Sequence, residues 1–348
     1  MLIVTEPRSD SEHQRQGHPE RPDRVAAALA GVADLHLGSD LEVVPARAAD
    51  WAELSRVHAP GYLDELAAFC LEGGGDLDPD TYATAGSWEA ACLAAGAGLA
   101  AIEALHRRDE GVAFVTTRPP GHHALHDRAM GFCLLNNIAV AAAELTANGE
   151  RVLIVDWDVH HGNGTQAIFW DDPNVLYVST HEWPLFPGTG AAREVGGRHA
   201  TGRTVNLPLP SGATGDVVRQ ALDVVAVPVI DEFKPTWVLV SAGFDAHRAD
   251  PLAGLALSSG DFADLARVVA DFAPSPGRLV LFLEGGYDLA ALRGSVTATL
   301  SALLGGDHQP EDPTSGGPGR EMVNQDRAAR IAELRRSDQL ILPKGTPL

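Results

Sequence analysis

Cysteine is scarce in this chain. Only Cys70, Cys92 and Cys133 occur among 348 residues, and no two of them form a CxxC pair. That argues against a disulfide framework and against a thiolate zinc finger, and a reducing cytoplasm is the expected location. Basic residues are also few: Lys and Arg total 26 against 47 Asp and Glu, for a formal charge of −21. Direct nucleic-acid binding needs a basic footprint and is therefore not expected. The acidic balance favours cationic ligands, or serves only to keep the surface soluble. No apolar run approaches the roughly 20 residues that span a bilayer, so no membrane segment is expected. The opening "MLIVTEPRSD" turns polar after four apolar residues and lacks the basic start of a signal peptide.

What is present is a core. Apolar residues make up 45 % of the chain, and the length suits one large α/β domain or two small ones. β-rich apolar runs recur at 111–117, 151–157, 174–180, 236–243 and 278–286, with weaker ones at "LIVT" and "TVNLPL". They are apolar continuously rather than alternately, as strands buried on both faces are. Between them, 86–107, 137–148, 213–232, 259–273 and 288–304 have helical length and composition. Strands alternating with helices predict a parallel sheet covered on both sides. From 305 the chain turns to Pro, Gly and charge, and 320–336 reads as one last amphipathic helix. We therefore divide it into a main domain, 1–304, and a C-terminal loop and helix, 305–348, packing on that domain.

The polar exceptions fall at strand ends, where open parallel sheets gather their chemistry. "RPPGHH", "DVHHGNG", "STHE", "FDAH" and "GGYD" each follow one of the five strong runs. Asp158 and His160 are two apart, so on an extended backbone they share a face. Alone they could be a salt-bridged pair closing a strand. With Asp245 from another strand end they form a mixed O/N set that suits Zn²⁺ or Fe²⁺. His122 and His123 sit on a Pro/Gly turn, and hydrolysis needs a group that accepts and then returns a proton. Each ring needs an orienting partner, for which Asp156 and Asn163 are available. Tyr287, after two glycines, can aim its hydroxyl at a developing oxyanion. Phe132 and Phe186, in glycine-rich loops, can flank a slot for a thin aliphatic chain.

Taken in order, "HPERPDR" (18–24), "RPPGHHA" (118–124), "GFCLLNN" (131–137), "DWDVHHGNGT" (156–165), "FPGTG" (186–190), "SAGFDAHRADPLAGL" (241–255) and "LEGGYD" (283–288) resemble the histone deacetylase superfamily. Its bacterial deacetylase-like amidohydrolases, acetylpolyamine amidohydrolases and acetoin-utilisation proteins are included, and the motif forms look closer to class II than to class I. The resemblance implies the arginase/deacetylase-like three-layer α/β fold, an eight-stranded parallel sheet between helices. It implies Asp158, His160 and Asp245 as zinc ligands, His123 as general base and then acid, and His122 as its electrostatic partner. Asp156 would orient His122, and Asn163, where class I members carry aspartate, would orient His123. Tyr287 matches the transition-state tyrosine.

Phe132 and Phe186, with Gly131, would line an acyl-lysine tunnel, and Arg24 an internal pocket behind the metal. A structural K⁺ or Na⁺ would lie beside Asp156, with Ser179 and backbone oxygens of Asp158, His160 and Thr180. Leu252 stands where acetylpolyamine-preferring relatives place an acidic residue. The implied reaction is zinc-dependent hydrolysis of an N-acetyl-lysine amide, or a similar small acylated amine, to free amine and acetate. An acetylpolyamine or other small-molecule amidohydrolase is the alternative, and a catalytically silent metal-binding scaffold a distant one. A two-manganese ureohydrolase shares the fold, but its second set of Asp/His ligands is missing after 151–157. A homo-oligomer stays open.

Overall fold

The structure, a computed structural model, describes residues 1–6 and 12–341. Eight strands form one sheet: β1 (Leu2–Glu6), β2 (Leu41–Pro45), β5 (Val112–Val115), β6 (Val152–Asp156), β7 (Val175–Glu182), β8 (Thr204–Leu209), β9 (Trp237–Ala242) and β10 (Leu279–Leu283). Their order is β2-β1-β5-β10-β9-β6-β7-β8, and every pairing is parallel. A separate two-stranded antiparallel hairpin joins β3 (Gly74–Asp76) to β4 (Tyr82–Thr84).

Helices cover both faces, which is why the central strands are apolar without alternation. Along β6, Val152 and Ile154 enter the core shared with α3 (Pro60–Leu71), α4 (Ser87–Arg108) and α5 (Asn137–Ala147). Leu153 and Val155 point the other way, among α1 (Asp23–Ala33), α9 (Ser259–Phe272) and α10 (Leu289–Leu303). Each such buried side chain contributes about 1.5–3 kcal/mol. Two short helices, α2 (Trp51–Ser55) and α6 (Asn163–Ile168), follow β2 and β6. The helix expected over 213–232 is divided into α7 (Gly215–Ala221), a π turn (Leu222–Ala226) and α8 (Val227–Phe233). Pro228 has no N–H and crowds the preceding turn, and the Val227 amide bonds Leu222 O, five residues back.

By length and composition α4 is apolar enough to cross a membrane, but 78 % of its most apolar window is buried inside the fold. It is a core helix. The last helix, α11 (Arg320–Ile341), runs five residues beyond the 320–336 expected. Its Arg330 is buried and donates to Gly202 O at 2.8 Å and to Thr204 O. Of the expected C-terminal unit, 342–348 lie outside the described residues.

Candidate active site

The carboxyl ends of five adjacent strands, β5, β10, β9, β6 and β7, open on one side of the sheet. Asp156, the last residue of β6, stands in register with Ser179 of β7 and Ser241 of β9. Just beyond the β6 end, Asp158 and His160 meet Asp245, which follows β9. One ligand atom from each lies within 4.8 Å of the others. Asp158 Oδ1 accepts from His160 N (2.9 Å), and Oδ2 from Gly285 N (2.7 Å). Asp245 Oδ1 accepts from Val159 N (2.9 Å). His160 Nδ1 lies 3.1 Å from Asp158 Oδ1 and 3.2 Å from Asp245 Oδ2. One ring nitrogen carries one proton and cannot serve both, and Asp245 Oδ2 is left buried with no hydrogen-bond partner.

An orphaned carboxylate oxygen inside a protein is costly unless something positive meets it. Two carboxylates and an imidazole converging on one point are a donor set for a divalent cation, with positions left for water and substrate. The residues fit that group. Without it, burial works against charging His160, but Asp158 and Asp245 outweigh burial and lift it to about 10. Glycine at 285 is a steric requirement: a Cβ there would stand 1.9 Å from Asp245 Oδ2.

The turn after β5 carries the histidine pair. His122 Nδ1 faces Asp156 Oδ2 at 3.1 Å, and the same oxygen accepts from the Tyr177 hydroxyl at 3.1 Å. Burial disfavours a charge on His122, yet Asp158, Asp156 and Glu284 override it and raise it to about 10. His123 lies next to it in the opposite condition. Its Nδ1 meets Asn163 Oδ1 at 2.8 Å, while Asn163 Nδ2 turns to Met130 Sδ. Burial, then the neighbouring His122 and His160, hold His123 well below the ordinary histidine range. Nδ1 is therefore its donor, and Nε2 keeps a free lone pair.

A cavity of about 200 Å³ leads to these groups. His122, His123, His160 and Tyr287 line its depth, with Gly131, Phe132, Phe186 and Leu252 around them. The His123 ring meets Phe186 edge-on at 5.1 Å, and Phe132 meets Tyr287 at 5.9 Å. Burial pushes the Tyr287 phenol well above its usual range against the pull of Arg24, with Asp245 and Asp158 adding to the rise. It stays a proton donor. Arg24 lies outside the cavity lining, fully buried, with its guanidinium 4.8 Å from the Tyr287 ring centroid. It donates to Gly286 O at 2.7 Å and is ion-paired to Glu20 at 3.1 Å. Ser179 Oγ is hydrogen-bonded to His181 Nδ1 at 2.9 Å, and Thr180 follows it in β7.

Three neighbours have no distinct mark in the sequence. Asp80, from the loop between β3 and β4, reaches the cavity lining. Glu284, buried beneath the histidine turn, accepts from Gly121 N (2.7 Å) and His122 N (3.2 Å). Asp250 accepts from the Tyr287 amide at 2.7 Å. The glutamate sits inside "LEGGYD", and the burial that gives it meaning is a property of the folded chain alone.

Comparison with known proteins bears on the family and the fold. Residues 18–303 match the histone deacetylase domain. The chain is 40 % identical over 319 residues to "Histone deacetylase 10, chloroplastic" of Oryza sativa subsp. japonica, covering 84 % of this chain and 71 % of that one. It is 39 % identical over 304 residues to the "Histone deacetylase-like amidohydrolase" of Pseudomonas aeruginosa, with 85 % and 80 % covered. A "Probable deacetylase" of Archaeoglobus fulgidus is 38 % identical over 301 residues, with 84 % and 83 % covered. The crystal structure of the HDA15 HD domain superposes with a TM-score of 0.86 at 35 % identity, covering 99 % of each chain. With the eight-stranded parallel sheet of the arginase/deacetylase-like fold and a domain match over most of its length, this chain belongs to the histone deacetylase family of hydrolases.

Proposed function

We propose that the chain is a zinc-dependent deacetylase that hydrolyses N-acetyl-lysine, or a similar acylated amine, to free amine and acetate, working in the cytoplasm. The observation that carries this reading is the orphaned Asp245 Oδ2 in a triad with Asp158 and His160, at the base of a narrow cavity bearing His122, His123 and Tyr287. Asp158, His160 and Asp245 would hold the zinc, with Fe²⁺ as the other metal this donor set accepts. When bound, the metal supplies Lewis acidity, polarising the amide carbonyl and lowering the pKa of a water toward roughly 7.

The remaining work falls to the chain. His123, kept neutral by burial and with Nδ1 committed to Asn163, accepts the proton of the attacking water at Nε2 and returns it to the departing amine. His122, whose Nδ1 faces Asp156 Oδ2 at 3.1 Å and whose pKa Asp158, Asp156 and Glu284 raise against burial, would lend positive charge to the anion that forms. The Tyr287 hydroxyl, which stays protonated, donates to the tetrahedral oxyanion. Phe132 and Phe186 enclose the aliphatic stem and exclude water. A structural K⁺ or Na⁺ beside Asp156 and Ser179, which stand opposite each other in register, belongs to the same reading. We assign residues 1–304 to the catalytic domain and the C-terminal stretch to the same unit. Asp80 at the cavity favours a second reading, a cationic acylated amine such as an acetylpolyamine.

Metal analysis together with a fluorogenic acetyl-lysine assay tests this. Wild type is expected to carry stoichiometric zinc and to lose activity on chelation, and Asp158→Ala to lose both, because two ligands hold the ion far more weakly than three. Full zinc in Asp158→Ala, or turnover that survives chelation, refutes the assignment.

A further inference from the structure

Residues 305–319, which follow the stretch matched to the family, contain no strand and no helix. They are nevertheless tied down. Ser258 Oγ donates to Asp312 O at 2.7 Å, and Thr314 gives both its amide (3.0 Å) and its hydroxyl (2.7 Å) to Asp261 Oδ2. The fit against the first turn of α9 is close: a Cβ on Gly260 would lie 2.4 Å from Glu311 O.

From this segment Glu311 reaches back toward the site. His247 is 5 % exposed and stands two residues after Asp245. Its Nδ1 accepts from Ala249 N at 3.1 Å, so the ring proton is on Nε2, which donates to Glu311 Oε2 at 2.7 Å. The same carboxylate accepts from Ser259 N at 3.0 Å, at the N-terminus of α9, and from Arg248. The hydrogen bonds continue inward. Asp250 N donates to His247 O at 2.8 Å and closes the turn. Asp250 Oδ1 then accepts from Leu252 N (3.0 Å), and Oδ2 from Tyr287 N (2.7 Å) and Asp288 N (3.4 Å). One chain of bonds thus runs from the C-terminal segment through His247 and Asp250 to the backbone of the phenol.

We propose that the 305–319 segment is a strut of the active site, in which Glu311 is a positioning residue that acts through His247 and Asp250 on Tyr287. The inference rests on the reading of Tyr287 as oxyanion donor. A carboxylate that only capped α9 would need no bond to His247, and the buried imidazole would need no partner on the irregular segment that follows α10. The strut makes the catalytic domain and its C-terminal stretch one working unit: the segment contributes no reacting group, but it fixes where one of them stands.

A double-mutant cycle on the full-length, metal-loaded enzyme tests this, with kcat and zinc content measured well below the melting temperature of each variant. Glu311→Ala is expected to lower kcat roughly tenfold, since misplacing a reacting geometry by about 1 Å can cost on the order of 10²-fold. In the Tyr287→Phe background the same change is expected to cost less than about twofold, because groups acting through one route are not additive. Glu311→Gln keeps the volume and one acceptor oxygen and should lose only about threefold, again only when Tyr287 is present. It supplies the comparison if Glu311→Ala does not fold. Equal losses in both backgrounds, no loss in either, or zinc loss in Glu311→Ala would overturn the strut. A wild-type kcat in Tyr287→Phe alone would overturn the oxyanion reading and the strut with it, and it is told apart by appearing with Glu311 intact.

Discussion

His122 and His123 are neighbours in the chain, with ring centroids 4.0 Å apart, yet their surroundings push them in opposite directions. His122 has carboxylates on its side that override burial and lift it to about 10, while burial, then His122 and His160, hold His123 well below 6.5, and its neutral amide partner Asn163 supplies no full charge to counter them. The partner residue type is therefore a control on the base. Asn163→Asp places a negative charge 2.8 Å from Nδ1 and stabilises the imidazolium, so the His123 pKa rises. His123 must be neutral to accept a proton, and activity is lost as pH falls through its pKa. The acid limb of kcat/KM is expected below pH 6.5 in wild type and at higher pH in Asn163→Asp, by roughly 1–3 units for a buried charged partner. A pH–rate profile with an unmoved acid limb would take the base role away from His123. At this scale the residues that the structure brings together were legible because the sequence sets metal- and proton-binding residue types at strand ends. Asp80, Glu284 and Asp250 were not, because a carboxylate becomes part of a site only through the distant backbone that surrounds it.

At the scale of elements, continuous apolar runs predicted the central strands and their shared direction, because burial on both faces leaves no room for alternation. The edge was harder: β2 is only half-buried, with Val43 55 % exposed, so its apolar pattern is too weak to mark a strand. The short α2 and α6 span fewer than two helical turns, too little to show a repeating pattern, and the π turn before Pro228 interrupts what reads as one helix. Loops position most of the site, and their geometry is set by conformations that composition does not reveal. Gly131 has φ +58, and a Cβ there would lie 2.4 Å from the His123 ring. Gly131→Ala must therefore move either the loop that carries Phe132 or the imidazole itself. The expected result is a kcat reduced by on the order of 10²-fold with zinc retained, since the ligands lie on other loops. Turnover within a fewfold of wild type would mean that His123 is not held by that contact.

At the scale of the whole molecule, the formal charge of −21 and the carboxylate of Asp80 would act on a cationic substrate over different ranges. Net charge draws a cation from a distance and is screened by salt, with a Debye length of about 10 Å at 0.1 M and about 3 Å at 1 M. Asp80 acts at contact, half-buried in the cavity wall, where burial and the neighbouring Asp78 raise its carboxyl above the ordinary range. Its charge is thus lost earlier than usual as the pH falls, and the comparison belongs near pH 8. A cationic acetylpolyamine is expected to lose roughly tenfold in kcat/KM between about 0.05 and 0.5 M salt, whereas an uncharged acetyl-lysine probe should hold steady, because steering acts on the encounter of charged partners. Asp80→Asn removes the local part alone. It should cost the polyamine up to about fivefold at low salt, as a partly exposed pair contributes about 0–1 kcal/mol, and cost the neutral probe nothing. Because the long-range field survives that substitution, the variant should keep most of the salt dependence of wild type. Steady-state kinetics of both proteins on both substrates across salt decides the matter: equal responses by the charged and neutral substrates would show that charge plays no part in which amide this enzyme selects.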